Sequence, residues 1–104
     1  MSLSDLEQLL KGVCPETYCY QAPSGVTRYI VYGVSNWEAL CGDDSVALIV
    51  PKVWVDIYTQ QRGDSLLLDV INALNSRGLP VSIDGPEFLD DQLTQATTLT
   101  LVLV

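Results

Sequence analysis

Hydrophobic positions along the chain follow two periods, and the points where one gives way to the other divide it into elements. In the opening segment Leu6, Leu9, Leu10 and Val13 recur at helical spacing, and Gly12 with Pro15 ends the run. That pattern predicts a short amphipathic helix over residues 4–12. Ser4-Asp5-Leu6-Glu7 has the form of a capping box, the serine accepting from a free helix N–H and the glutamate reaching back. Residues 17–21 and 27–33 are rich in Tyr, Val, Ile and Thr, and the Ala-Pro-Ser-Gly between them supplies turn dihedrals. A β-hairpin is expected there. Its second strand is apolar on both sides, Tyr29 and Val31 alternating with Ile30 and Tyr32, so both faces should be covered.

Residues 34–44 read as an irregular excursion with a helical turn, ending in the acidic pair Asp43-Asp44. The following SVALIVPKVWVDIYTQ reads as one long strand interrupted by Pro51, which lacks a ladder donor and marks a bulge or an edge. Along this strand Val53, Val55 and Ile57 face one way, and Trp54, Asp56 and Tyr58 the other. The first set is an ordinary core. The second, two large aromatics around a carboxylate, is neither a good core nor a good solvent surface.

Asp64 can cap the helix that SLLLDVINALNSRG predicts, with Leu67, Val70, Ile71 and Leu74 as a stripe widened by Leu66, Leu68 and Ala73. Arg77 suits its C-terminal dipole end, and Gly78 with Pro80 stops it. Burying four such aliphatic side chains contributes roughly 6–12 kcal/mol before conformational entropy is subtracted, so the helix must lie across the sheet. A short strand, LPVSID, leads through an acidic loop, GPEFLDD, to the closing run TQATTLTLVLV. There Leu99, Leu101 and Leu103 share one face, and Thr98, Thr100, Val102 and Val104 the other. A strand this apolar needs partners on both sides or burial by another subunit. The order of elements predicts an α+β two-layer sandwich, a mainly antiparallel sheet with two helices packed on one face. A ferredoxin-like split is the alternative topology.

The 104 residues suffice for one domain with a single core, and 48% hydrophobic composition is that of a folding chain. Five Lys plus Arg stand against thirteen Asp plus Glu, a formal net charge of −8 with no histidine. Such a chain cannot supply the basic stripe of a nucleic-acid module, and it should repel DNA and acidic membranes alike. Neither sequence-specific nucleic acid nor membrane is therefore an expected partner. MSLSDLEQLL lacks the basic and apolar regions of a signal peptide, and no apolar run is long enough to cross a bilayer. An intracellular, soluble protein is expected. Met1 to Leu3 carry no weight in the element assignment.

Cys14, Cys19 and Cys41 are an odd number without an export signal, so thiols packed as small apolar groups are expected rather than disulfides. Zinc would need a fourth ligand, and without histidine only a carboxylate could provide it. No metal or cofactor is expected. There is no Ser/His or Cys/His pair and no glycine-rich phosphate loop, so the chain reads as non-catalytic. Asp43-Asp44 and Asp90-Asp91, the latter near Asp84 and Glu87, sit in turn-like segments where solvated acids are the ordinary outcome. An enzyme built on Glu87, Asp90 or Asp91 would need a concave pocket around them. Arg62-Gly63-Asp64 matches an integrin-binding tripeptide, but capping already accounts for Asp64.

The chain thus reads as one that works through surfaces. Trp37, Trp54, Asp56 and Tyr58 form a candidate self-association or partner interface, since Trp and Tyr most often carry binding energy. Asp84, Glu87, Phe88, Asp90 and Asp91 form a candidate partner-facing acidic loop. The competing possibility is that residues 34–44 cover Trp54 and Tyr58 within the chain.

In order and spacing, TRYIVYG, VWVDIYTQ followed by an acid-capped helix, GLPVS and the closing TTLTLVLV resemble the small tail-completion or tail-terminator proteins of long-tailed bacteriophages and prophages. The resemblance spans nearly the whole chain and rests on structural phrases, not catalytic signatures. It implies a small α/β sandwich that assembles with itself into a ring, six subunits being the pattern, at the end of a tail tube. Its partners would be the tail-tube protein and head-tail connector proteins, in the host cytoplasm during assembly and then in the virion tail. An acidic ring suits a passage through which DNA must slide without sticking. The acidic GPEFLDD departs from the family pattern. An acidic interaction module, a DNA mimic or an inhibitor, is the alternative function.

Overall fold

The computed structural model of the protein describes residues 1–41, 47–89, 91 and 93–103. Its elements are α1 (Leu3–Val13), β1 (Thr17–Cys19), β2 (Tyr29–Cys41), β3 (Ala47–Thr59), α2 (Leu66–Ser76), β4 (Ser82–Phe88) and β5 (Gln95–Val102). The strands form one sheet in the order β1-β2-β3-β5-β4, with every pair antiparallel except β1 and β2. Leu6 and Leu10 of α1 and Leu66, Val70 and Leu74 of α2 share one buried cluster with Ile30, Tyr32, Val53, Val55, Ile57, Leu99 and Leu101 of the sheet. The α+β sandwich with both helices on one face is therefore the observed architecture. β5 lies between β3 and β4, the central place its apolar character requires.

Helix α1 starts earlier than the capping box at Ser4 and Glu7 implied. Ser2 is the N-cap: its Oγ accepts from the Asp5 N–H at 3.1 Å, and its own N–H donates to Asp5 Oδ2 at 3.1 Å. Ser-x-x-acid occurs in two registers two residues apart, and the chain uses the first. Asp64 contributes to the start of α2 from one position further out than predicted. Ser65 holds the N-cap position, while Asp64 Oδ1 accepts from the Leu66 N–H at 2.9 Å. The far end closes as a Schellman motif, with Leu79 N–H on Leu74 O, Gly78 N–H on Asn75 O, and Gly78 at φ +71°.

Three expectations fail in instructive ways. The expected hairpin at residues 17–33 is not one, because β1 runs parallel to β2, Thr17 opposite Ile30 and Cys19 opposite Tyr32. Nine intervening residues can carry the chain back along a three-residue strand. The Ile30 N–H bonds Glu16 O at 2.9 Å and the Tyr20 N–H bonds Tyr32 O at 2.8 Å, which fixes the parallel register. The excursion at 34–44 is, as far as it is described, the continuation of β2. A register shift between Val34 and Asn36 absorbs one residue, after which Trp37 pairs with Pro51 and Cys41 with Ala47. Asp43 and Asp44 lie outside the described residues. The GPEFLDD loop is half strand: Ser82–Phe88 pairs with β5 across an irregularity at Gly85-Pro86, where Gly85 has φ +115°.

β5 leaves β3 opposite Lys52, with a last bond from the Leu103 N–H to Pro51 O, and β1 reaches only to Tyr32. The pairing of Trp37–Cys41 with Ala47–Pro51 therefore has no flanking strand among the described residues and projects as an arm. The molecule measures 51 × 26 × 22 Å accordingly. Pro51 sits at the base of this arm, its carbonyl toward β5, and the donor it lacks ends the β3–β5 ladder there.

Candidate interaction surface

Alternation along β3 puts Val53, Val55 and Ile57 in the core and leaves Trp54, Asp56 and Tyr58 half-buried on the face without helices. Strand pairing extends that face sideways. Tyr29, Tyr58, Ala96 and Glu87 make one row, Val31, Asp56, Thr98 and Asp84 the next, and Gly33, Trp54, Thr100 and Ser82 a third.

Neighbours within the chain cover much of it. The Tyr29 ring stacks on Tyr58, centroids 4.6 Å apart and planes at 14°. Asp56 accepts from Thr98 Oγ1 at 2.6 Å and from the Tyr58 hydroxyl at 3.3 Å, so its carboxylate is engaged by the sheet itself. Burial first, and then the Asp56 charge, pushes the Tyr58 hydroxyl up to about 12. At the other end the Tyr20 ring stands edge-on to Trp54, centroids 6.1 Å apart at 70°. Tyr20 adopts φ +66° and its hydroxyl accepts from the Val34 N–H at 3.2 Å, which arches the side chain over Gly33. A Cβ at Gly33 would lie 2.6 Å from atoms of both rings. Among the described contacts, cover over Trp54 comes from Tyr20 and cover over Tyr58 from Tyr29.

Trp37 does not join this group. Its partner Pro51 lies two residues from Val53, so Trp37 is on the helix side of the sheet, out on the arm and 57% exposed. Asp84 and Glu87 are exposed at the rim of the open face, and Phe88 points to the other face. Asp91 accepts from the Leu93 and Thr94 N–H groups at 2.9 Å and from Thr94 Oγ1 at 2.7 Å. Those bonds hold its carboxyl below the usual range and mark a turn-capping role. Asp90 lies outside the described residues. Tyr20, Tyr29, Gly33 and Thr98 were missed by sequence reasoning. Correct pairing of β2 with β3 would have found Tyr29, since it sets Tyr29 opposite Tyr58.

Two uncovered apolar sites lie on the helix side. Ile83 and Phe88 of β4 are 53% and 61% exposed, whereas Leu99 and Leu101 of the adjacent β5 are buried, so the helix layer stops at β5. Leu89 and Leu93 continue the apolar stretch into the following turn. On the arm, Trp37 and Ile49 are both more than half exposed, and they share a face because Pro51 and Ile49 are two apart on β3.

Comparison with protein-family profiles finds no match, and no curated protein matches by sequence. Among solved structures the chain is similar to one in the virion of a native gene transfer agent particle, with a TM-score of 0.57 at 11% identity. That likeness covers 93% of this chain and 88% of the other, so the fold is shared from end to end.

Proposed function

We propose that this protein is a structural component of a phage-like particle, a tail-completion or terminator subunit. It would cap the tail tube, associate with copies of itself in a ring, and meet the tail-tube and connector proteins at the head-tail junction. The observation that carries this reading is the end-to-end fold likeness to a chain of a gene transfer agent virion. The resemblance of TRYIVYG and VWVDIYTQ, which lie largely in β2 and β3, to tail-completion proteins is the second support for it. A net charge of −8 is compatible with lining a DNA passage. The reading of the chain as non-catalytic belongs to the same proposal.

The test is deletion of the coding sequence from the particle-producing locus, followed by electron microscopy. Tails of irregular length, or finished tails that fail to join heads, are expected, with rescue by the intact chain. Normal particles in the deletion strain refute the reading.

A further inference from the structure

We infer that the sheet face without helices is a docking trough for an extended, Arg- or Lys-bearing segment of another protein. Its shape follows from strand order and side-chain size. β5 lies between β3 and β4 and presents the small side chains of Ala96, Thr98 and Thr100 to this face. On the β3 side they are bordered by Tyr58 and Trp54, with Tyr29 stacked on the one and Tyr20 edge-on to the other. On the β4 side they are bordered by Asp84 and Glu87, both exposed. Two inter-strand steps separate these walls, roughly 10 Å, which is the room an extended chain needs. Beyond Thr100 and Ser82 the trough runs into a cavity of about 640 Å³ that Glu38, Lys52 and Pro80 also line.

The walls select the occupant. Aromatic rings take up the aliphatic stems and the charge of Arg or Lys, while carboxylates on the other side accept their N–H groups. Asp56 stands between the rings, and the Thr98 and Tyr58 hydroxyls, which are uncharged, fill two of its roughly four acceptor positions. Sign agrees across the whole face. Glu16, bonded by the Tyr18 hydroxyl, and Glu38, opposite Val50, join Asp56, Asp84 and Glu87, and Lys52 is the base that the strands bring to them. Lys11 and Arg77 belong to the helix ends, Arg28 is paired with Asp64, and Arg62 lies in the turn after β3. The −8 of the whole chain counts Asp43, Asp44 and Asp90, which lie outside the described residues. Nucleic acids and acidic membranes share that sign. A second copy cannot supply the segment either, because no two of the five bases are closer than ten residues, Lys52 and Arg62 being the nearest pair. Along an extended chain, side chains on one side recur about every 6.8 Å, the interval between the Tyr58, Asp56 and Trp54 rows. Bases at alternate positions therefore meet successive rows. Nothing in this contact depends on the assembly role proposed above.

The test is fluorescence anisotropy of the full chain with a labelled ten-residue peptide of alternating Arg and Thr, beside a peptide of the same composition with its Arg residues in one block. The alternating peptide should bind, and the block peptide more weakly. Asp84→Asn/Glu87→Gln should weaken the alternating peptide about three- to tenfold, whereas Glu7→Gln/Asp69→Asn, which removes the same charge from the helices, should change it less than about twofold. Thr100→Arg, which plants a cation in the trough, should weaken it as well. Circular dichroism verifies the fold of each variant, and amide resonances of Ala96, Thr98 and Thr100 should shift on binding. No binding, equal binding of the two peptides, or an equal loss from the helix variant overturns the trough. Sedimentation velocity addresses the other occupant: self-association that Thr100→Arg abolishes and that excludes the peptide would give the face to a second copy and overturn the proposal. Tails that form normally without the chain would refute the assembly role and leave this contact standing.

Discussion

Gly33 is the residue on which the aromatic end of the open face depends. Its missing side chain lets the Trp54 and Tyr20 rings both approach the strand, each with an atom 2.6 Å from where a Cβ would stand. Gly33→Ala is expected to expel one ring and to break the bond between the Val34 N–H and the Tyr20 hydroxyl, destabilising the fold by about 1–3 kcal/mol. Urea unfolding measures this, and Tyr20→Ala in the same chain should recover part of the loss. An unchanged midpoint would show that Tyr20 swings away freely and is no fixed part of the surface. Asp56, which looked in the sequence like a polar contact awaiting a partner, is bonded by Thr98 and Tyr58 of its own sheet. Alternation along one strand showed which way Asp56 points. It could not show Thr98, which arrives 42 residues later on another strand.

At the scale of elements, periodicity was a sound guide to what forms and a poor guide to how pieces pair. The α2 stripe, the alternation of β3 and the apolar face of β5 all appear where expected because burial of one face sets each pattern. The direction of β1 was illegible for a physical reason: a period of two identifies a strand but carries no sign, and the loop at 20–28 is long enough for either return. The arm was hidden by Ser35-Asn36, which reads as a break and acts as a bulge. The apolar run before Pro51, left without a partner strand, was the available clue. Arg28 and Asp64 join two of these elements, with contacts of 2.9 and 3.2 Å between the β1–β2 connection and the start of α2. The Arg28 guanidinium first, then the Leu66 N–H, holds the Asp64 carboxyl below the usual aspartate range. A folded-state value below the unfolded one gives stability that is present above about pH 4 and lost as pH falls through the folded value. Asp64→Asn keeps an acceptor for Leu66 but loses the ion pair, so it should cost about 1 kcal/mol at neutral pH, with Arg28 partly in solvent. The difference from wild type should vanish in acid. A constant difference across the range would place the effect in the helix cap alone.

For the whole molecule the dominant fact is a charge of −8 on a body of 14.8 Å radius of gyration. Arg28–Asp64 and Lys11–Glu7 are ion-paired, but five Lys plus Arg cannot match thirteen Asp plus Glu, so repulsion between acids is weakly offset within the fold. Salt at 0.1 M shortens the reach of such repulsion to about 10 Å, well inside these dimensions. Thermal unfolding at neutral pH should therefore move upward as sodium chloride rises from a few millimolar to about 0.2 M, and then level off. A midpoint that stayed level or fell as salt rose would show that repulsion among the excess acids does not limit the stability of the fold.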